Sequence, residues 1–302
     1  ENRKEIMASN VSIIKRLGKM KLTLFVSASA VAGGIVTGAP VSSLSVLGLG
    51  VTALSLSANT MNQCLERSQD ALMFRTKKRP LVTGEVSLYN AIGIGIIEFV
   101  IGSFLLYHYS VNCCLLGALN WVLYVCVYTP SKKITTLNTE IGAVVGAIPP
   151  VMGGLYVDRW MDLAASLWLG TVIYLWQMPH FYALSFLCRK DYQRAGYRML
   201  SSLSVRRTCI KSFVYSFALS LTVVGGPSVL HLGYPFVYYC AAGILMQGFL
   251  LKNLLFHFYP RRYCRESFIF SYVWLGVQLL FMIIGHNLQA EGKVNRTSHV
   301  EK

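Results

Sequence analysis

Residues 88–107 read LYNAIGIGIIEFVIGSFLLY, twenty residues with one acid, no base and no proline. A helix rises about 1.5 Å per residue, so roughly 20 apolar residues cross the ~30 Å of bilayer hydrocarbon. The stretch is a transmembrane candidate. Comparable runs lie at about 22–42, 43–61, 111–128, 138–157, 162–187, 209–230, 236–256 and 267–286. Of the 302 residues, 54% are hydrophobic and only 14% charged, well outside soluble composition. The sequence therefore predicts an all-α polytopic membrane protein with nine transmembrane helices in a bundle.

Charge orients that bundle. With the N-terminus inside, most of the 28 Lys and Arg fall on the inner side. They sit in the N-terminal segment, in 62–87, at Lys132 and Lys133, in 188–211 and at Arg261, Arg262 and Arg265, whereas the short outer loops hold only Arg159. This is the asymmetry of the positive-inside rule. The net charge of +15 is thus mainly a topology signal. A nucleic-acid partner is not expected, because no soluble segment carries a basic face with interleaved aromatics. The eight cysteines show no CxxC spacing and read as small apolar core residues. No linker breaks the chain, so one membrane domain is expected over 22–287, between a basic segment at 1–21 and a polar tail at 288–302. Residues 11–21, VSIIKRLGKMK, suit either the remnant of a transit sequence or an interfacial helix.

Polar chemistry concentrates in two inner loops, 62–87 and 188–208, which four spans separate. Both open on one side, where a bundle with an internal repeat would set them face to face. In the first, Asn62, Glu66 and Asp70 follow i, i+4, i+8, which places three oxygen-bearing side chains on one face of a helix continuing out of the membrane. Two carboxylates one turn apart repel, and a cation between them relieves it. One or two carboxylates completed by water and phosphate is the manner in which Mg²⁺ is usually held. At mid-bilayer each acid would cost about 2.5–3.5 kcal/mol, so the mouth of a cavity is the better place. Arg75, Lys77, Lys78 and Arg79 crowd five positions, and their mutual repulsion calls for a polyanion. Acids for a metal plus cations for phosphate describe a diphosphate site. The bland alternatives are acids paired locally with Arg67 or Lys77, and cations that anchor topology.

In the second loop Asp191 and Arg194 stand at i, i+3 behind Arg189 and Lys190. Asp191 suits a second Mg²⁺, orientation of Arg194 onto phosphate, or a local pair. His180 follows Pro179 near the inner end of the sixth span, where it either bonds within the bundle or contacts a ligand, including a metal centre. Residues 128–154 begin with Lys132 and Lys133 and continue rich in Gly, Ala and Pro, which suits close helix packing or room for a flat ligand. Glu98, within the third span, should face the interior.

Together the segments resemble a known family. The pattern Asn62, Glu66, Asp70, with RTKKRPL at 75–81, YTPSKK at 128–133, LNTEIGAVVGAIPP at 137–150, WQMPHFYALSF at 176–186 and RKDYQRAGYRMLS at 189–201, is similar to the membrane prenyltransferase superfamily that includes the 4-hydroxybenzoate polyprenyltransferases. Within it the order and spacing resemble the protohaem IX farnesyltransferase, or haem O synthase, branch over roughly residues 20–285. Departures are RSQ at 67–69, the charge of Arg67 among them, and the lack of a second Asp four residues after Asp191. The resemblance implies a helical bundle around a central cavity, and transfer of a farnesyl group from farnesyl diphosphate to a vinyl group of haem b. It implies a catalytic set of Asn62, Glu66, Asp70 and Asp191, with Mg²⁺ on Glu66, Asp70 and Asp191. It also implies substrate contacts from Arg75, Lys77, Arg79, Lys132, Lys133, Arg194, His180 and Asn138. Expected partners are farnesyl diphosphate, haem b, the lipid bilayer, and haem A synthase or oxidase assembly factors. The expected place is the mitochondrial inner membrane with the site loops on the matrix side, or else a bacterial plasma membrane. The rival readings are prenylation of an aromatic quinone precursor and, from another class, a membrane transporter.

Overall fold

The computed structural model describes residues 11–156, 160–230, 232 and 234–300, with side chains for all but 160–162 and 286–300. Residues 1–10 of the basic segment, Arg159 and residues 301–302 lie outside the described residues. Every regular element described is helical. α1 (Val11–Leu17) meets α2 (Met20–Val36) at a bend of 65°. α3 (Val41–Leu65), α4 (Arg67–Leu72), α5 (Pro80–Thr83) and α6 (Leu88–Tyr109) follow. α7 (Val111–Val122) continues through a π-helical turn, Leu123–Tyr128, into α8 (Thr129–Ile134). Next come α9 (Asn138–Gly154), α10 (Trp160–Leu187), α11 (Arg189–Arg194) and α12 (Leu200–Leu203). α13 (Val205–Val229), α14 (Phe236–Phe258) and α15 (Pro260–Val300) close the chain.

Each of the nine apolar stretches falls on a helix. By length and apolarity, however, six helices among the described residues qualify as spans, seven if α1 and α2 count as one, against the nine expected. The reason lies in what the remaining two helices face. α9 has only 17 residues, and α10 carries Gln177, Pro179 and His180 in its second half. Both line an internal cavity, so neither needs to be lipid-soluble all round.

Two apolar cores hold the bundle. One gathers Leu47, Val51, Leu54, Leu106 and Met152 from α3, α6 and α9; the other gathers Leu169, Val172, Leu219, Phe249 and Trp274 from α10, α13, α14 and α15. In lipid such cores are stabilised by close packing rather than by escape from water, and small residues permit it. A side chain at Gly102 of α6 would strike the backbone of α3 at Leu54 and Gly50. At the crossing of α2 and α9, a Cβ on Gly33 would meet the carbonyl of Pro150, and one on Gly153 the backbone of Ala30 and Gly34. Tyr109 bolts the same corner by donating to the Gly153 carbonyl at 2.7 Å.

α1 is packed into this structure. Leu17 is fully buried against Leu81 and Ala91, the Gln63 amide donates to the carbonyls of Arg16 and Leu17, and Arg16 pairs with Glu85.

Candidate active site

The helix expected to run unbroken through the first acidic motif is interrupted. α3 ends at Leu65 and α4 starts at Arg67, with Glu66 between them at φ −99°, ψ 9°, the sparsely populated bridge region in which many active-site residues sit. The i→i−4 bonds nonetheless bracket the break: Glu66 N–H reaches the Asn62 carbonyl at 2.9 Å, and Asp70 N–H the Glu66 carbonyl at 2.8 Å. Asn62, Glu66 and Asp70 therefore stay on one buried face, 0%, 5% and 1% exposed. Arg67 falls on the opposite, exposed side and lines a separate surface groove. Its position beside Glu66 in sequence thus does not bring it to the acids.

Glu66 and Asp70 face a cavity of about 460 Å³ that opens between the two cores. Three cations meet this face there. Lys132 donates to Glu66 at 2.7 Å, Arg79 to Asp70 at 2.5 Å, and Lys19 to the Asn62 side-chain oxygen Oδ1 at 2.7 Å. Burial alone would push the Glu66 carboxyl up; the ammonium groups of Lys132 and Lys19 outweigh it and hold the acid below its ordinary 4.5. The buried acceptor Asp70 Oδ1 in this mouth has no partner among the described residues, and the Tyr197 hydroxyl, without a well-formed hydrogen bond, lies by the Glu66 carboxylate and helps to hold it down. An unpaired buried acceptor so close to charges is costly to leave unmade and suits an arriving cation.

The two polar loops do meet across the mouth. Arg75 N–H donates to Asp191 at 3.3 Å, the Arg75 guanidinium lies 6.0 Å from the Tyr192 ring, and Arg194 stacks over Phe74 at 4.5 Å. Met73 packs with Ala195, Tyr197 and Met199 beneath them. The expected metal set of Glu66, Asp70 and Asp191 is not gathered, however. No group of three metal-ligating side chains occurs among the described residues, and Asp191 meets the Arg75 N–H and, at 3.7 Å, Arg194.

Of the expected substrate contacts, Arg75, Arg79, Lys132 and His180 line the cavity. Lys77, Lys133 and Arg194 are exposed and do not. Asn138 is buried, but its amide serves the carbonyls of Thr135 and Arg198 and so joins two loops. Glu98 accepts from Thr60 at 3.2 Å, the partner that sequence alone could not name.

Lys19 is the residue that sequence reasoning missed. It reads as one more inner-side cation, yet it is the one non-glycine residue among those described with a positive φ, at 48°. That twist sits at the bend between α1 and α2 and delivers the ammonium to Asn62. Tyr124 and Tyr128 were missed as well. They come from the π-helical turn, where one extra residue per turn re-aims side chains, and Tyr124 donates to Asn59 at 3.1 Å. Past the charged mouth the wall is apolar and aromatic, with Phe25, Leu54, Met152, Trp176, Phe181 and Tyr272.

A sequence profile of the UbiA prenyltransferase family matches residues 22–276. The chain belongs to that family. Family membership agrees with the enzyme reading rather than with the transporter. Mitochondrial protoheme IX farnesyltransferase of Homo sapiens is 42% identical over 193 residues, covering 63% of this chain and 43% of the relative. The chain thus spans less than half the length of that curated relative. Among solved structures, a digeranylgeranylglyceryl phosphate synthase superposes with a TM-score of 0.77 at 14% identity, covering 91% of this chain and 98% of that one. A UbiA homolog from Archaeoglobus fulgidus bound to DMAPP and Mg²⁺ gives 0.62 at 15% identity, covering 89% and 98%. At these identities the likeness is one of fold.

Proposed function

We propose that this chain transfers a farnesyl group from farnesyl diphosphate to a vinyl group of haem b, yielding haem O and diphosphate. The observation that carries the reading is the polarity of one cavity. Paired acids and cations crowd its mouth, and apolar and aromatic side chains with His180 line the rest. The name of the human relative supports haem b as acceptor, and the DMAPP bound in the Archaeoglobus fulgidus homolog supports a prenyl diphosphate as donor.

Each part of the wall has work in that reaction. Glu66 and Asp70, with the orphan Asp70 Oδ1, would hold Mg²⁺, the remainder of its shell coming from diphosphate and water. When bound, Mg²⁺ neutralises charge on the departing diphosphate. Arg79, Arg75, Lys132 and Lys19 take the rest of that charge as the allylic C–O bond breaks, and the Tyr197 hydroxyl donates to a phosphate oxygen. The faces of Tyr124, Trp121 and Trp176 line the route of the farnesyl chain; they exclude water and stabilise positive charge on the allylic carbon. Attack by the vinyl carbon forms the new C–C bond, and water captures the resulting cation, its released proton passing to diphosphate. Asp191 acts here by holding Arg75 and Arg194 rather than as a metal ligand. We place the mouth on the basic inner side, which corresponds to the matrix face in the mitochondrial case, with an N-in topology.

The test is to incubate the purified protein with haem b, farnesyl diphosphate and Mg²⁺ and to seek haem O by mass. Absence of that product, with prenylation of a hydroxybenzoate instead, would move the activity to the quinone branch.

A further inference from the structure

His180 is 3% exposed and lies at the cavity wall, with its imidazole clamped. Trp176 stacks on one face at 4.8 Å and 22°, Phe268 on another at 4.8 Å and 28°, and Tyr272 meets it edge-on at 4.6 Å. Its Nδ1 lies 2.7 Å from Oγ of Ser271, a residue 1% exposed on α15. A serine hydroxyl has one proton to give. The Phe268 carbonyl lies 2.7 Å from the same Oγ, and with the hydroxyl proton placed there Ser271 accepts from His180. In that arrangement Nδ1 carries the ring proton. No carboxylate is among the hydrogen-bond or stacking partners of the ring, so the imidazole is neutral and its other nitrogen, Nε2, is a bare lone pair. Among the described residues the one side-chain hydrogen bond of the ring is the one at Nδ1, on a residue that lines the cavity. The same turn of α15 is tied to α10 a second time, since Trp176 Nε1 donates to the Ser271 carbonyl at 2.8 Å.

A neutral histidine on a cavity wall, with one N–H anchored by an acceptor and the other nitrogen left as a lone pair, is the arrangement used for metal ligation. We propose that His180 Nε2 ligates the iron of haem b in this cavity and that Ser271 is the positioning residue that fixes the required tautomer and ring orientation. The inference rests on haem b being the acceptor substrate. Ligation transfers no proton: the Nε2 lone pair enters the vacant axial position of ferrous haem, and the Nδ1–H bond to Ser271 strengthens the ligand. The iron then fixes how far the porphyrin lies from the charged mouth, and hence which vinyl edge meets the allylic carbon.

The experiment compares binding of ferrous haem b and of metal-free protoporphyrin IX to the purified protein, with resonance Raman of the ferrous complex. Wild type should prefer the iron porphyrin and show an iron–histidine stretch. His180→Gly should lose both preference and stretch while still binding metal-free porphyrin, and added imidazole should restore the stretch. Ser271→Ala should weaken haem b binding about tenfold and lower the stretching frequency, without changing affinity for metal-free porphyrin. Ser271→Thr, which keeps the hydroxyl, should restore both. Equal affinity of wild type for the two porphyrins, or an unchanged stretch in His180→Gly, would overturn the ligand assignment while leaving farnesyl transfer intact. An unchanged stretch in Ser271→Ala would overturn the role of Ser271. Failure of wild type to bind either porphyrin, with no haem O formed, would instead defeat the reading of haem b as substrate.

Discussion

Lys19 offers the sharpest test of the site, because its backbone and its side chain make separable predictions. A non-glycine residue in the left-handed region costs roughly 1–2 kcal/mol. Such strain persists only where the surrounding structure enforces it. Here it delivers an ammonium to Asn62 at 2.7 Å. Lys19→Met keeps the strain and loses the bond to Asn62, while also removing an ammonium that burial and the neighbouring Arg79 and Lys132 disfavour. Lys19→Gly loses the same bond but relieves the strain, from which the freer unfolded chain takes back about 0.4–1 kcal/mol. The glycine variant should therefore be the more stable of the two by about 0.5–1 kcal/mol, or roughly 1–3 °C in a domain of this size. A thiol-reactive dye reads this directly, since Cys113, Cys209 and Cys264 are buried in the bundle and become reactive on unfolding. Turnover should fall about 10²-fold in both variants, because each removes one cation from the departing diphosphate. Equal melting of the two variants, or a less stable glycine variant, would refute the strain. Wild-type turnover in both would show that Lys19 merely tethers Asn62.

Further outcomes follow from the same geometry. Lys132→Met strands the buried Glu66 carboxylate and should destabilise the protein by about 3–5 kcal/mol, with Lys132→Met/Glu66→Gln recovering most of it in the same dye assay. Asp70→Asn should abolish the Mg²⁺ dependence of diphosphate release, whereas Asp191→Asn should raise the KM for farnesyl diphosphate and leave that dependence in place; loss of Mg²⁺ dependence in Asp191→Asn would return it to the metal. Gly153→Leu forces a side chain into the backbone of α2 and should yield protein that melts far lower or fails to fold, while Gly276→Leu, which meets open space, should melt like wild type.

The sequence by itself determined the class of the fold, because spans are read from composition: twenty apolar residues with almost no charge have few other stable homes. It also determined that Glu66 and Asp70 share a face, since helical spacing is local and the i→i−4 bonds around Glu66 kept it through the break. What spacing could not reach was pairing across the bundle. Asp191 and Arg75 are far apart in the chain, and only the docking of the two loops brings this acid to a backbone amide. Lys77, Lys133 and Arg194 look like Arg79 and Lys132 in sequence, yet charge alone does not say which cations turn inward. Lys19 reached the site through a left-handed twist, and Tyr124 and Tyr128 through a π turn, neither of which has a composition. The partner of His180 is more distant still, for Ser271 arrives on the last helix, with its Oγ 2.7 Å from Nδ1.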